Sequence, residues 1–174
     1  YNVIAKLQTN EMEKIYSKAA INLYKSSNPN INTVINDLKD IYVNDEDFKH
    51  YFSLKQFNTS NSNDKKLLRY TLYKLEGQAE GGSLYDFETD NGTIEHIVPE
   101  SYPESWQDDF TEEEFERNVY MIGNLTLLEP SKNKKDAADY DFETKKQVYL
   151  TSKYALTNNI TEPQWTSQNI KNRQ

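Results

Sequence analysis

Apolar residues recur at helical spacing through the first 77 positions, and the texture changes after Gly77. In 10-NEMEKIYSKAAINLYKSS-27, the residues Met12, Ile15, Tyr16, Ala19, Ala20 and Leu23 follow a period near 3.6. This predicts a helix that Asn28, Pro29 and Asn30 break. Val34, Leu38, Ile41 and Tyr42 line one side of a second helix over 32–43, and a third fits 45–55. The polar run NTSNSND (58–64) offers N-cap residues for a fourth over 65–76. At this spacing Tyr16, Tyr24, Tyr70 and Tyr73 read as core and boundary packing rather than as stacking platforms for bases. These helices form a scaffold, and nothing in them suggests chemistry.

The segment 78–92 holds three of the five glycines and reads as a loop or edge hairpin. TIEHIV (93–98) is a short apolar strand ended by Pro99. Thr111 and Glu114 form a T-x-x-E capping box, which predicts a short surface helix over TEEEFER. YMIGNLTLL (120–128) is apolar and β-branched enough for a second strand, with Gly123 and Asn124 at a bulge or turn. Pro130 and Ser131 are expected to open a helix carrying Asn133, and another is expected over 142–153. A last helix fits 161–173, with Thr161 as its N-cap and Pro163 in its first turn. Helices, strand, connection, strand and more helices define a mostly helical α+β fold, divided into a helical region (1–77) and a second region (78–174).

Composition narrows the function classes. A chain of 174 residues buries roughly two thirds of its unfolded surface, enough for a core without staples. The absence of cysteine excludes disulfides, thiolate zinc sites and cysteine nucleophiles. No apolar run approaches the ~20 residues of a membrane span, and no signal peptide is visible, so a cytoplasmic domain with no membrane partner is expected. The start at Tyr1 rather than Met reads as a piece cut from a longer chain. A net charge of −8 weighs against nucleic-acid binding. The charge is uneven, however: residues 104–116 carry seven acids and no base, whereas 131–153 carry six lysines against four acids. Local fields steer a polyanion more than the total does.

One of the two histidines, His96, stands beside a carboxylate, Glu95, inside the apolar run 93–98. A lone histidine in such a strand is ordinarily a hydrogen-bonded core residue, an asparagine after glycine is ordinarily turn chemistry, and lysines over 132–146 ordinarily make a solvated face. Taken together, the types and spacing say more. Glu95 and His96 fall on the first strand, Asn124 on the second, and Asn133 on the helix expected after it. Carboxylate and amide oxygens are hard ligands that suit Mg²⁺ or Mn²⁺ rather than zinc. A neutral histidine beside such an ion can take a proton from water. These are the minimum parts for phosphodiester hydrolysis. Adjacent strand residues point to opposite faces, so Glu95 and His96 can share a site only where the strand bends or ends, for which Pro99 supplies a cause.

The runs IEHIVPES, IGNLTLL and SKNKK resemble the HNH (ββα-metal) endonucleases, and among them the C-terminal nuclease domains of GmrSD-type, modification-dependent restriction enzymes. The HNH domain of RNA-guided Cas nucleases has a similar His-Asn-Asn arrangement. The resemblance covers roughly residues 45–174, including Lys145 and the helix of Trp165, and is carried by those three motifs. It implies a ββα-metal core flanked by N- and C-terminal helices, with His96 as general base and one Mg²⁺ or Mn²⁺ held by Glu95 and Asn133. Asn124 would tie the connection and orient the histidine. Lys145, together with Lys132, Lys134 and Lys135, would contact phosphates of double-stranded DNA. Many members carry Asp where this chain has Glu95, one methylene longer.

The function so implied is a metal-dependent DNA endonuclease that leaves a 5′-phosphate and a 3′-hydroxyl, the effector of a phage-defence system. Relatives add an N-terminal nucleotide-hydrolysing sensor domain, and no Walker-type loop is present in this sequence. Two other readings are an inactive HNH-like module that binds nucleic acid or protein, and an RNA-directed hydrolase.

Overall fold

Asparagines cap three of the helices, those beginning at Ile31, Asp45 and Ser62. In the computed structural model, which describes residues 4, 9–133 and 139–174, the chain forms two compact units, Tyr1–Lys55 and Gln56–Gln174. The first contains α1 (Thr9–Lys25), α2 (Ile31–Asp37) and α3 (Asp45–Leu54), with a 3₁₀ turn at Lys39–Ile41. Asn30, part of the predicted break, caps α2 by accepting from the Asn32 N–H, and Asn44 caps α3 by accepting from that of Asp47. The second helix, expected to reach residue 43, ends at Asp37, where Asn36 and Asp37 propagate a helix poorly. Helix α1 packs on α2, and Ala19 is its buried residue among those described. Tyr16 and Tyr24, expected to pack, are 51 % and 91 % exposed.

The second unit begins with α4 (Ser62–Glu76), capped by Asn61 from the predicted polar run. The unit boundary at Lys55–Gln56 therefore groups α4 with the strands. β1 (Thr93–His96) and β2 (Leu125–Leu128) form a two-stranded antiparallel sheet in which Glu95 pairs with Thr126 and His96 with Leu125. Between them, α5 (Glu112–Asn118) starts at the expected Thr111–Glu114 capping box. Gly123 and Asn124 sit in a 3₁₀ turn (Ile122–Asn124) rather than inside a strand.

After β2 the chain departs from expectation. Instead of a helix opening at Pro130, it turns through 130–132 and bends at Asn133. The Glu129 carbonyl accepts from both Lys132 and Asn133 N–H groups, closing the chain on itself. Residues 134–138, with Lys134 and Lys135, lie outside the described residues. Then come α6 (Phe142–Tyr149), α7 (Ala155–Asn158) and α8 (Ser167–Arg173). The last helix starts five residues later than a Thr161 cap would place it, because Thr166 and Asn169 form the capping box that is actually used.

The core of this unit gathers Ile97, Val98, Trp106, Phe110, Leu128, Phe142, Trp165 and Ile170 from the strand end, the connection and the late helices. Trp106 and Trp165 are fully enclosed, and burial on that scale dominates core energetics. Two charged side chains tie distant parts of the chain together. Glu76, also fully enclosed, accepts from the Ala155 and Leu156 N–H groups at the start of α7. Arg173 donates to the carbonyls of Gly123, Leu125 and Leu156 and to Thr126 Oγ1. Burial lowers the pKa of its guanidinium to about 10, against the opposing pull of Glu162. Gly123 permits the close approach of α8, since a Cβ there would collide with the Ile170 carbonyl. The fold is a mostly helical α+β arrangement, as expected. Among the described residues no helix is long and apolar enough to cross a membrane.

Candidate active site around His96

His96 is the last residue of β1, and the chain bends immediately after it at 97–98. Asn124 makes that bend. Its fully buried side chain accepts from the Val98 N–H at 2.9 Å and from Trp165 Nε1 at 3.3 Å. It donates to the carbonyls of Val98 and Val119, both at 3.1 Å. Its hydrogen bonds thus run to the backbone of Val98 and Val119 and to the Trp165 indole, and they hold the strand end. Asn124→Ala strands several buried backbone groups at once, and each unpaired group costs about 1–3 kcal/mol. The expected loss is about 3 kcal/mol, read from urea unfolding.

The His96 side chain is 12 % exposed. Its ring meets Tyr120 edge-on, with centroids 6.0 Å apart, and its Nε2 is buried without a hydrogen-bond partner. Glu100 Oε1 lies 3.5 Å from Nε2 but completes no hydrogen bond. Burial lowers the imidazole pKa to about 4, with Lys145 adding to the shift and Glu100 opposing it. The ring is therefore neutral at pH 7.

Glu95 points to the other face, as strand alternation requires. Its Oε1 accepts from Lys145 Nζ at 2.7 Å and from the Tyr149 hydroxyl at 2.8 Å. Lys145 also donates to the His96 carbonyl at 2.7 Å. Lys145 was expected to meet phosphates; the structure instead buries it at 2 % exposure as the partner of Glu95. Burial pushes the Lys145 ammonium below its usual pKa, an effect that Glu95 counters, and it holds the Tyr149 hydroxyl well above its usual value. Lys132 is likewise engaged, donating to Glu129 at 2.7 Å and to the Thr151 carbonyl at 2.5 Å.

Asn133 folds back onto β1, its Nδ2 donating to Thr93 Oγ1 and the Ile94 carbonyl, both at 3.0 Å. Its Oδ1 has no partner among the described residues, and neither has Glu95 Oε2. Glu95, His96 and Asn133, expected in one site, do line one cleft of about 320 Å³, and Glu100, Ser101 and Asp139 line it with them. A second cleft of about 450 Å³ shares Ile94, His96 and Glu100 and runs to Thr59, Lys65 and Arg69 on the side of α4. His96 thus stands where two clefts meet.

No group of three or more His, Asp or Glu side chains could by itself hold a metal among the described residues. A cation in the first cleft would therefore use the Glu95 and Asn133 oxygens with water. That mixture suits Mg²⁺, which keeps several waters and needs only one or two carboxylates. Sequence reasoning missed Glu100 and Asp139. Glu100 is one helical turn past His96 in number, but Pro99 masked any helical cue, and Asp139 follows a stretch with no spacing signal.

Fold and cleft define a small, mostly helical α+β domain built around a strand-end histidine. The family model described as GmrSD restriction endonucleases, C-terminal domain, matches residues 42–174, and the chain belongs to this family of restriction endonucleases. The motif resemblance pointed to the same family. Comparison with curated proteins finds no match.

Proposed function

We propose that the chain is a metal-dependent DNA endonuclease domain of the HNH type, in which His96 takes a proton from the water attacking a phosphodiester. The observation that carries this reading is the state of His96: neutral at pH 7, nearly enclosed, with Nε2 unpartnered at the meeting of two clefts. A general base must be unprotonated at working pH and within reach of the proton it takes. Glu100, beside Nε2, stabilises the imidazolium formed when that proton arrives. Glu95 Oε2 and Asn133 Oδ1 are the ligands for one Mg²⁺ or Mn²⁺. When bound, such an ion offsets charge on the phosphoryl and leaving oxygens. Lys145 and Tyr149 hold Glu95 in place, and Asn124 holds the strand end that carries His96. The substrate is double-stranded DNA, cut to a 5′-phosphate and a 3′-hydroxyl in defence against phage, with target choice made by a separate N-terminal domain.

One observation favours a second reading: the Lys145 ammonium already neutralises Glu95, as suits a binding module that does not cut. Supercoiled plasmid separates the two. Nicked and linear forms should accumulate with Mg²⁺ or Mn²⁺ and vanish with EDTA, and end-labelling should report a 5′-phosphate. Duplex binding without cutting in either metal supports the binding module, and cutting indifferent to EDTA overturns the metal-dependent mechanism.

A further inference from the structure

Resting on the nuclease reading, we propose that the second cleft, between α4 and β1, is where the DNA backbone lies, with Lys65 holding a phosphate next to the scissile one. The lysines that the sequence offered for this task are otherwise engaged where they are described: Lys145 is buried on Glu95 and Lys132 is spent on Glu129 and Thr151. On the side of His96 that faces away from the Glu95 carboxylate, the cleft of about 450 Å³ brings Lys65 and Arg69 to one wall, one helical turn apart on α4. Arg69 is committed, donating to the carbonyls of Phe87, Asp90 and Gly92, so it contributes charge and a rigid wall. Lys65 is exposed and its ammonium has no partner among the described residues. Thr59 and Ser60 line the same wall. Among the described residues the one carboxylate in the cleft, Glu100, accepts from Thr59 Oγ1 at 2.7 Å and lies beside His96. The cleft therefore carries, among the described residues, two positive charges against one negative, in a chain of net charge −8. A chain so acidic repels DNA over most of its surface, and a local cationic cleft leading to the base selects one approach. Lysine meets phosphate as a point charge, positioning the strand without reading its sequence.

The test measures binding, so that it does not depend on cleavage. A labelled duplex is titrated by fluorescence anisotropy across a salt series into the His96→Ala protein alone, and with Lys65→Glu or Lys66→Glu added. Lys66 is the neighbouring exposed lysine outside the cleft, and its reversal changes net charge by the same amount. Lys65→Glu should weaken binding about tenfold or more and lower the slope of log affinity against log salt by about 1. Lys66→Glu should have a clearly smaller effect, and Lys65→Arg should bind like the parent. Equal effects of the Lys65 and Lys66 reversals, or no effect of either, overturn the assignment even where plasmid nicking is intact. Loss of nicking in His96→Ala together with an unchanged Lys65→Glu slope leaves the nuclease reading standing and removes this one. Absence of duplex binding by the parent at low salt overturns it too.

Discussion

Replacing His96 with alanine is expected to lower metal-dependent nicking by about 10²–10⁴-fold, the usual contribution of a positioned general base. His96→Gln keeps most of the ring's volume beside Tyr120 and should lose activity as fully, which separates lost chemistry from lost packing. Unchanged nicking in both variants assigns the cutting to another base. The same ring gives stability a pH dependence. Burial holds His96 near 4 in the folded chain, whereas an ordinary imidazole titrates near 6.5. As pH falls, the unfolded chain therefore takes up the proton first. The contribution is complete above pH 6.5 and drains away as pH falls toward 4, by roughly 3 kcal/mol across the window. Urea unfolding at neutral and acid pH should show this slope in the wild type and a shallower one in His96→Gln. Identical slopes would mean that the imidazole is already accessible to protons when folded.

Lys145→Met is expected to destabilise the chain by about 3–5 kcal/mol, because it leaves a buried carboxylate without its countercharge. Glu95 is only 5 % exposed, and its remaining partner on Oε1 is the Tyr149 hydroxyl. Adding Glu95→Gln to that variant should recover a large part of the loss, since an amide needs no countercharge; such coupling is what a double-mutant cycle measures. Mg²⁺ or Mn²⁺ should raise the urea midpoint of Lys145→Met more than that of the wild type if Glu95 is a ligand, and should leave the double variant unmoved. A Lys145→Met protein as stable as the wild type would mean that Glu95 does not depend on this ion pair for its place in the fold.

Much of the strand framework was legible because its signals are local. Apolar runs mark both strands, although the first stops at His96 rather than running to Pro99, and Thr111 with Glu114 marks the start of α5. Four facts were not legible, each for a stated reason. That Lys145 faces inward depends on a partner 50 positions away, and a lysine in a run of lysines looks solvated in sequence. The start of α8 went to Thr166 because two threonines compete for one cap, and only packing around Trp165 and Ile170 decides between them. The turn at 130–133 arises from the Glu129 carbonyl and from Asn133 reaching back to β1, contacts that spacing does not encode. Tyr16 and Tyr24 share a helical face in sequence, yet periodicity only aligns side chains and does not supply a surface to cover them.

The clasp made by Arg173 bears on how the second unit comes into being. Its partners Gly123, Leu125, Thr126 and Leu156 lie 50, 48, 47 and 17 positions earlier, so this clasp on β2 waits on a residue made well after both strands. Such non-local contacts carry a loop-closure cost that must be met before they stabilise anything. A nascent or clipped chain lacking α8 leaves the carbonyls of Gly123 and Leu125 unbonded by that guanidinium, although the register of β1 on β2 is set by the strands themselves. Whatever chemistry the strand pair performs, it is steadied by a helix that carries none of the candidate site residues.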